Sequence, residues 1–191
     1  DMKKNVLIVG AGGVVAVVAH KCAQHNVQLG DIHIASRSLH KCRALIDSIH
    51  KKGSLQDRKG VLKAHTLDAM DTAATRRLIE QTGAQIVINV GHAFVNMPVL
   101  EACIQTGAAY IDTAIHEDPA AVCEAPPWYA NHEWKRKARC AERGVTAVLG
   151  AGFDPGVVNA YAALAVQEYF DRVESIDIID VNAGSHGRYF A

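Results

Sequence analysis

Long apolar runs are missing from this sequence. The stretch near the N-terminus is interrupted by Gly10 to Gly13 and followed by His20 and Lys21, whereas a membrane-spanning helix needs roughly 20 consecutive apolar residues; neither a spanning helix nor a signal peptide fits it. Proline is scarce, 5 residues against 15 glycines, and 49% of the chain is hydrophobic. That composition excludes disorder and collagen-like architecture and leaves enough apolar material for a core. A net charge is also lacking, because Lys plus Arg equals Asp plus Glu at 20 each. No basic stretch is interleaved with aromatics, so nucleic acid and an anionic membrane are not expected as partners, and small molecules are.

Paired cysteines are absent too. Cys22, Cys42, Cys103, Cys123 and Cys140 form no CxxC and are odd in number, which argues against a disulfide framework and for a reducing cytoplasm. His20, Cys22 and His25 resemble a metal cluster on paper, but on a helix His20 and Cys22 project about 200° apart, so no metal site is expected. There is no Ser-His-Asp or Cys-His constellation. Asp1 before Met2 reads as a tag remnant and is set aside.

What the sequence has is alternation. Asn5 to Val9 is a continuous apolar run ending at glycines, as a strand buried on both faces should be. Helix from about Val14 to His25, strand Asp31 to Ala35, helix Ser38 to Lys52, strand Val61 to Leu67, and helix Asp71 to Thr82, with Asp71 or Thr72 as cap, follow in order. Strand Gln85 to Val90, helix Met97 to Thr106, strand Ala109 to Ile111, helix Glu133 to Arg143 and strand Val145 to Leu149 complete the series. Glu124 to Tyr129 is the one obvious irregular excursion. The order predicts an α/β fold: a doubly wound parallel sheet of Rossmann type, with ligand beyond the carboxyl ends of the strands. Beyond Gly150 a helix from about Pro155 to Tyr169 and a strand-like run, Ser175 to Val181, read as the beginning of a second domain.

Gly10-Ala11-Gly12-Gly13-Val14-Val15 follows the first strand and opens the first helix, the context a dinucleotide fingerprint requires. Gly10 permits the tight turn and Gly12 lets backbone approach a pyrophosphate, whose charge meets free N–H groups and the positive helix end. At the sixth position Val15 stands where Gly or Ala is usual, so the helix should sit slightly off the strand or face a smaller residue. A glycine turn with no ligand is the alternative. Ala35-Ser36-Arg37-Ser38 ends the second strand without the carboxylate that would hold a ribose 2′-OH. Arg37 can instead pair bidentately with a 2′-phosphate, helped by Ser36, Ser38 and Lys41, which favours NADP(H); a solvated loop arginine is the plainer reading.

Other strand ends supply further candidates. Asp68 is placed to accept from the adenine amino group, or simply to cap the next turn. Asn89, Val90, Gly91 and His92 lie where the nicotinamide ribose should pass, although His92 can equally be a surface histidine. Asp112, Thr113, His116 and Glu117 follow the fifth strand and can face a reacting carbon, with no identifiable general acid among them. In Gly152-Phe153-Asp154-Pro155-Gly156, Asp154 as N-cap and Pro155 at the first helical position suit a helix start whose free N–H groups, with Asn159 one turn on, would bind a substrate carboxylate. A helix cap with no further role is the alternative.

The segments Gly10 to Val14, Ala35 to Ser38, Ile88 to Gly91, Tyr110 to Ala114 and Gly150 to Gly156, in that order and with the tail Asp180 to Arg188, resemble the saccharopine dehydrogenase family over nearly the whole chain. The resemblance implies a Rossmann domain over 1-150, then over 151-191 the linking helix and first strand of an incomplete α+β domain for substrate contact and dimerisation, with a homodimer in the full-length protein. It implies reductive condensation in polyamine biosynthesis: a diamine such as diaminopropane or putrescine forms an imine with aspartate semialdehyde, and NADPH delivers hydride to the imine carbon. A saccharopine-forming reductase of lysine metabolism is the alternative inside the family, and a non-catalytic NADP-binding module the alternative outside it.

Overall fold

The computed structural model describes residues 3–57, 59–116, 130–179 and 181. Six strands, β1 (Lys4–Val9), β2 (Leu29–Ser36), β3 (Leu62–Thr66), β4 (Ala84–Asn89), β5 (Ala109–Asp112) and β6 (Ala147–Val148), form one sheet in the order β3-β2-β1-β4-β5-β6. Every pairing is parallel. The helices are α1 (Gly13–Gln24), α2 (Leu39–Lys51), α3 (Thr72–Thr82), α4 (Asn96–Thr106), α5 (Asn131–Trp134), α6 (Lys137–Glu142) and α7 (Val157–Glu168). The order reverses at β1, between β2 and β4, and in such sheets that switch point is where a ligand crosses the carboxyl edge.

The alternation of side chains along β1 divides the core in two. Val6 and Ile8 pack with Val15, Ala19 and Ala23 of α1 and Cys42 and Ile49 of α2. Leu7 and Val9 pack on the other face with Leu78 and Ile79 of α3 and Val99, Leu100 and Cys103 of α4. Successive residues of a strand point to opposite faces, so a strand covered on both sides must be apolar throughout, as Val6 to Val9 is. The amino end of the sheet is tied by Asn5, whose Nδ2 donates to the Thr82 carbonyl at 3.0 Å and whose Oδ1 accepts from Asp31 N–H at 2.9 Å. Asp71 caps α3, its carboxylate accepting from Ala74 N–H at 2.9 Å.

Four expectations need correction. The helix expected over Glu133 to Arg143 is two pieces, α5 and α6, because the first turns inward to bury Glu133 while the second lies on the surface, with Arg139 clasping Glu101 at 2.6 and 2.8 Å. The last strand is only two residues long, paired along one edge. Helix α7 begins at Val157 with Gly156 as its N-cap, not at Pro155 with Asp154 as cap. Residues 175–179 form no strand, since the alternating run finds no neighbouring strand to pair with among the described residues. Glu117, the excursion Glu124 to Tyr129, and the tail from Asn182 lie outside the described residues.

Candidate functional site

The glycine loop joins β1 to α1. Gly10 has φ +123°, a backbone conformation that L side chains rarely adopt, and a methyl group there would collide with Val15 Cγ2 and the Val90 carbonyl. The facing residue that Val15 requires is therefore Gly10 itself: Val15 is fully buried in the α1 core while α1 keeps its place on the sheet. Gly12 has open space where a Cβ would stand, and both it and Gly13 are exposed. No side chain caps α1 at Gly12, and its first turn carries no acidic residue. The initial N–H groups of a helix have no partner within it, so the loop presents uncompensated donors and a positive helix end to an anion. Val14 is exposed beside them.

At the end of β2, the neighbour of β1 in the sheet, Ser36 Oγ accepts from Ser38 N–H at 3.1 Å and lies 3.2 Å from Cys42 Sγ. The two serines thus shape the turn, and Arg37 between them is exposed, as is Lys41. Among the described residues Arg37 has no carboxylate partner. A cation presented on a rigid turn with no counter-ion is suited to a phosphate. Asp68 Oδ1 accepts from Met70 N–H at 3.1 Å, which secures the turn into α3.

The carboxyl ends of β4 and β5 are organised from inside. Asn89 is buried; its Nδ2 donates to Asn96 Oδ1 at 2.8 Å and to the Tyr110 hydroxyl at 3.3 Å, and its Oδ1 accepts from Gly91 N–H at 3.1 Å. Asn96 Nδ2 donates to the Ala114 carbonyl at 2.6 Å and to Asp112 Oδ2 at 3.4 Å. Asp112 is fully buried, its Oδ1 accepting from Gly150 N–H at 2.6 Å and its carbonyl from Ala151 N–H at 2.8 Å. Burial pushes its carboxyl up to about 6, with the like charge of Glu133 adding to the rise and the Gly150 and Tyr110 hydrogen bonds opposing it. Glu133, also buried, accepts from His116 N–H at 2.8 Å through Oε1, while Oε2 has no partner among the described residues. Asn89 and Asp112 therefore face the interior and not a ligand. His92 Nδ1 accepts from Phe94 N–H at 3.4 Å, starting the 3-10 turn Ala93–Val95 from an exposed position. Asn96 and Glu133 are not among the sequence candidates; a polar side chain in an otherwise apolar stretch is the only sequence signal for Asn96, and Glu133, in the polar run Asn131 to Lys137, has none.

The turn 152–156 rests on the loop after β5. A Cβ at Gly152 would strike the Thr113 carbonyl, and one at Gly156, where φ is +133°, would strike Gly152. Gly156 N–H donates to Asn159 Oδ1 at 2.9 Å, Val157 N–H to the Gly152 carbonyl and Val158 N–H to the Phe153 carbonyl, both at 3.1 Å. The start of α7 has thus spent the N–H groups expected to be free for a carboxylate, and Asn159 serves as their cap. Phe153 and Asp154 are exposed at the tip, and Thr113 is half-buried below it. Elsewhere, His20 is held between Ser54 Oγ at 2.9 Å and Ser48 Oγ at 3.1 Å. Among the described residues no group of three or more His, Cys, Asp or Glu is placed to hold a metal, and no helix is long and apolar enough to cross a membrane.

A family model described as the saccharopine dehydrogenase NADP binding domain matches residues 6–148. Carboxynorspermidine synthase of Vibrio alginolyticus is 45% identical over 186 residues, which cover 97% of this chain and 45% of that protein. The carboxyaminopropylagmatine dehydrogenase of Synechocystis sp. is 38% identical over 186 residues, covering 97% of this chain and 44% of that protein. The chain thus spans less than half the length of the curated relatives it matches. Among solved structures, apo saccharopine dehydrogenase (L-Glu forming) from Saccharomyces cerevisiae superposes with a TM-score of 0.63 at 22% identity, covering 86% of this chain and 31% of that one. A metagenomic short-chain oxidoreductase in complex with NADP gives 0.54 at 16% identity, covering 86% and 90%. These two likenesses concern the fold.

Proposed function

The chain belongs to the saccharopine dehydrogenase family through its NADP-binding domain, and from that premise we propose that it is the cofactor-binding part of a reductase that makes a secondary amine from aspartate semialdehyde and a diamine in polyamine biosynthesis. The observation that carries the reading is the match to carboxynorspermidine synthase over 97% of this chain. The residues fit the cofactor: the open Gly12 cradle and uncapped start of α1 suit a pyrophosphate, and Arg37 without a counter-ion suits a 2′-phosphate.

In this reading Gly10, Gly12, Gly13 and Val14 set the backbone against the diphosphate, with Val15 fixing the turn from below. Arg37 and Lys41 neutralise the 2′-phosphate, with Ser36 and Ser38 holding their turn. Asp68 borders the adenine, and Val90, Gly91 and His92 border the nicotinamide ribose, Asn89 acting through the Gly91 N–H it binds. When bound, NADPH supplies a hydride for the imine carbon. Thr113, Gly152, Phe153 and Asp154 form the edge that meets the imine, Asp154 attracting its cationic amine end and Phe153 excluding water; Asn159 contributes by holding Gly156. The full protein acts as a homodimer. The relative named carboxyaminopropylagmatine dehydrogenase supports a second reading with the same aldehyde and a guanidino amine.

Titration of the chain with NADPH and NADH, followed by nucleotide fluorescence, tests the cofactor site. Tighter binding of NADPH is expected, and Arg37→Ala should lose about tenfold or more of it, one charge-assisted bidentate contact being worth about 1.5–3 kcal/mol, with NADH little affected. Equal affinity for both nucleotides, unchanged in the variant, would remove Arg37 from the site. Turnover of aspartate semialdehyde by the full-length reductase with diaminopropane, putrescine or agmatine then separates the two amine readings.

A further inference from the structure

Three loops border the reacting half of the site: 90–92 after β4, 113–116 after β5 and 150–152 after β6. Each is fastened to the same buried set of side chains. Asn89 Oδ1 receives the Gly91 N–H, Asn96 Nδ2 reaches the Ala114 carbonyl, and Asp112 Oδ1 receives the Gly150 N–H. Asn89 and Asn96 bind each other, and Asn96 binds Asp112, so the three fastenings form one chain of hydrogen bonds. Side chains of this kind buried in a core are kept rigid by being fully partnered. All three residues are buried and none faces the carboxyl edge where a ligand would lie.

We propose that Asp112 is a positioning residue for hydride transfer: its buried carboxyl sets the 150–152 turn directly and, through Asn96 and Asn89, the loops after β5 and β4, so that one group determines how the reacting edge is assembled. The inference rests on the reductase reading for its kinetic consequence but not for its geometric one.

Charge is the reason a carboxylate serves here. Ionised Asp112 accepts from Gly150 N–H and Asn96 Nδ2 together, whereas the protonated acid carries a hydrogen on one oxygen and can no longer accept fully from both. The groups that face it are Glu133 from α5, the Tyr110 hydroxyl from β5, Asn96 from α4 and the Gly150 N–H beyond β6. Burial, and to a lesser degree Glu133, opposes ionisation while the Gly150 N–H and the Tyr110 hydroxyl favour it, which places the change near pH 6. The fastening should therefore loosen as the pH falls through that value.

Amide hydrogen exchange of the protein with and without NADPH, compared with Asp112→Ala, Asp112→Asn and Tyr110→Phe, tests this. With intrinsic rates corrected for pH, the amides of 113–116 and 150–152 are expected to exchange about tenfold or more faster in Asp112→Ala, while those of β1 and β2 do not change. Asp112→Asn, like the protonated acid, accepts through one oxygen only, so it keeps the Gly150 contact, loses that from Asn96 and holds the protection at the parent's low-pH level at every pH. In the reductase reaction the same variant leaves the KM for NADPH unchanged, lowers kcat and flattens the low-pH limb of the kcat profile. Equal protection in the parent and Asp112→Ala, or an effect confined to NADPH affinity, would overturn the proposal. If the parent reduces no imine from any of the diamines, the functional reading fails and the exchange comparison still decides the positioning role; Tyr110→Phe, which retains every Asp112 contact to the loops, controls for general loosening of the core.

Discussion

Val15 stands where a dinucleotide fingerprint ordinarily has glycine or alanine, and its burial against Gly10 shows that the pair has exchanged sizes: the bulk sits on the helix and the space on the loop. Restoring glycine by Val15→Gly should lower stability by about 3 kcal/mol, from a cavity at a fully buried site and the entropy of glycine in a helix, without tightening NADPH binding; thermal unfolding beside the nucleotide titration reads both. Two other buried residues act in opposite senses on the pH dependence of stability. His33 lies 2.9 Å from His65 with its Nε2 buried and unpartnered, and desolvation, followed by the nearby His65, pulls it down to about 4. Its contribution is whole above its ordinary value of 6.5 and is lost as pH falls through 4. Asp112 is raised from 3.8 to about 6, so the folded state binds its proton more tightly and stability declines as pH rises across that interval. At about 1.4 kcal/mol per pKa unit each effect is at most about 3 kcal/mol before solvent screening reduces it, and the two oppose one another. In urea unfolding at pH 4 to about 6.5, the slope of stability against pH is expected to shift, relative to the parent, toward a fall with rising pH in His33→Leu and toward a rise in Asp112→Asn. Parallel curves for all three would show that neither group titrates in the folded state as its surroundings imply.

At the level of elements, legibility followed the range of the forces involved. Strand β1 is visible because a strand covered on both faces must be apolar along its length, as Val6 to Val9 is, and the glycines that end it must follow wherever the chain turns into α1. The placement of Arg37 at the end of β2 was legible for the same local reason: strand, turn and helix succeed one another within a few residues. The inner network was not legible, because its partners are far apart in the chain. Asn96 meets Asp112 across 16 positions and Asp112 meets Gly150 across 38, so a local pattern showed Asp112 only as a carboxylate at a strand end, turned outward in expectation and inward in the structure. The break between α5 and α6 had the same origin, since the burial of Glu133 is set by the loop that carries His116. Asp154 and Pro155 misled in another way. Their chemistry suits a helix start, but Gly152 and Gly156 bridge one another across the turn and delay the helix to Val157. Residues 175–179 alternate like a strand, yet alternation specifies a strand only when a neighbour supplies the hydrogen bonds.

Taken whole, the molecule is an α/β unit closed around its sheet with a strongly apolar segment outside that closure. Helix α7 has no buried residue, and Tyr161, Tyr169 and Phe170 are 67%, 74% and 60% exposed. Ala162, Ala165, Val166, Phe170, Val173 and Ile176 line a groove of about 370 Å³ beside it. Contiguous apolar surface of this kind is uncommon on a stable monomer and marks a contact surface, while the two core clusters include none of its residues. The two parts should therefore separate in experiment. The 191-residue chain is expected to associate as its concentration rises in sedimentation, and replacing Tyr161 and Phe170 by serine should shift it toward monomer. Because the proposed cofactor site, in the 10–15 loop and at the end of β2, takes nothing from α7, NADPH affinity should not change, and the unfolding midpoint should stay within about 0.5 kcal/mol of the parent, as for other exposed substitutions. Loss of folding in that double variant would show instead that α7 is part of the cooperative unit, and an unaltered association would move the contact surface elsewhere.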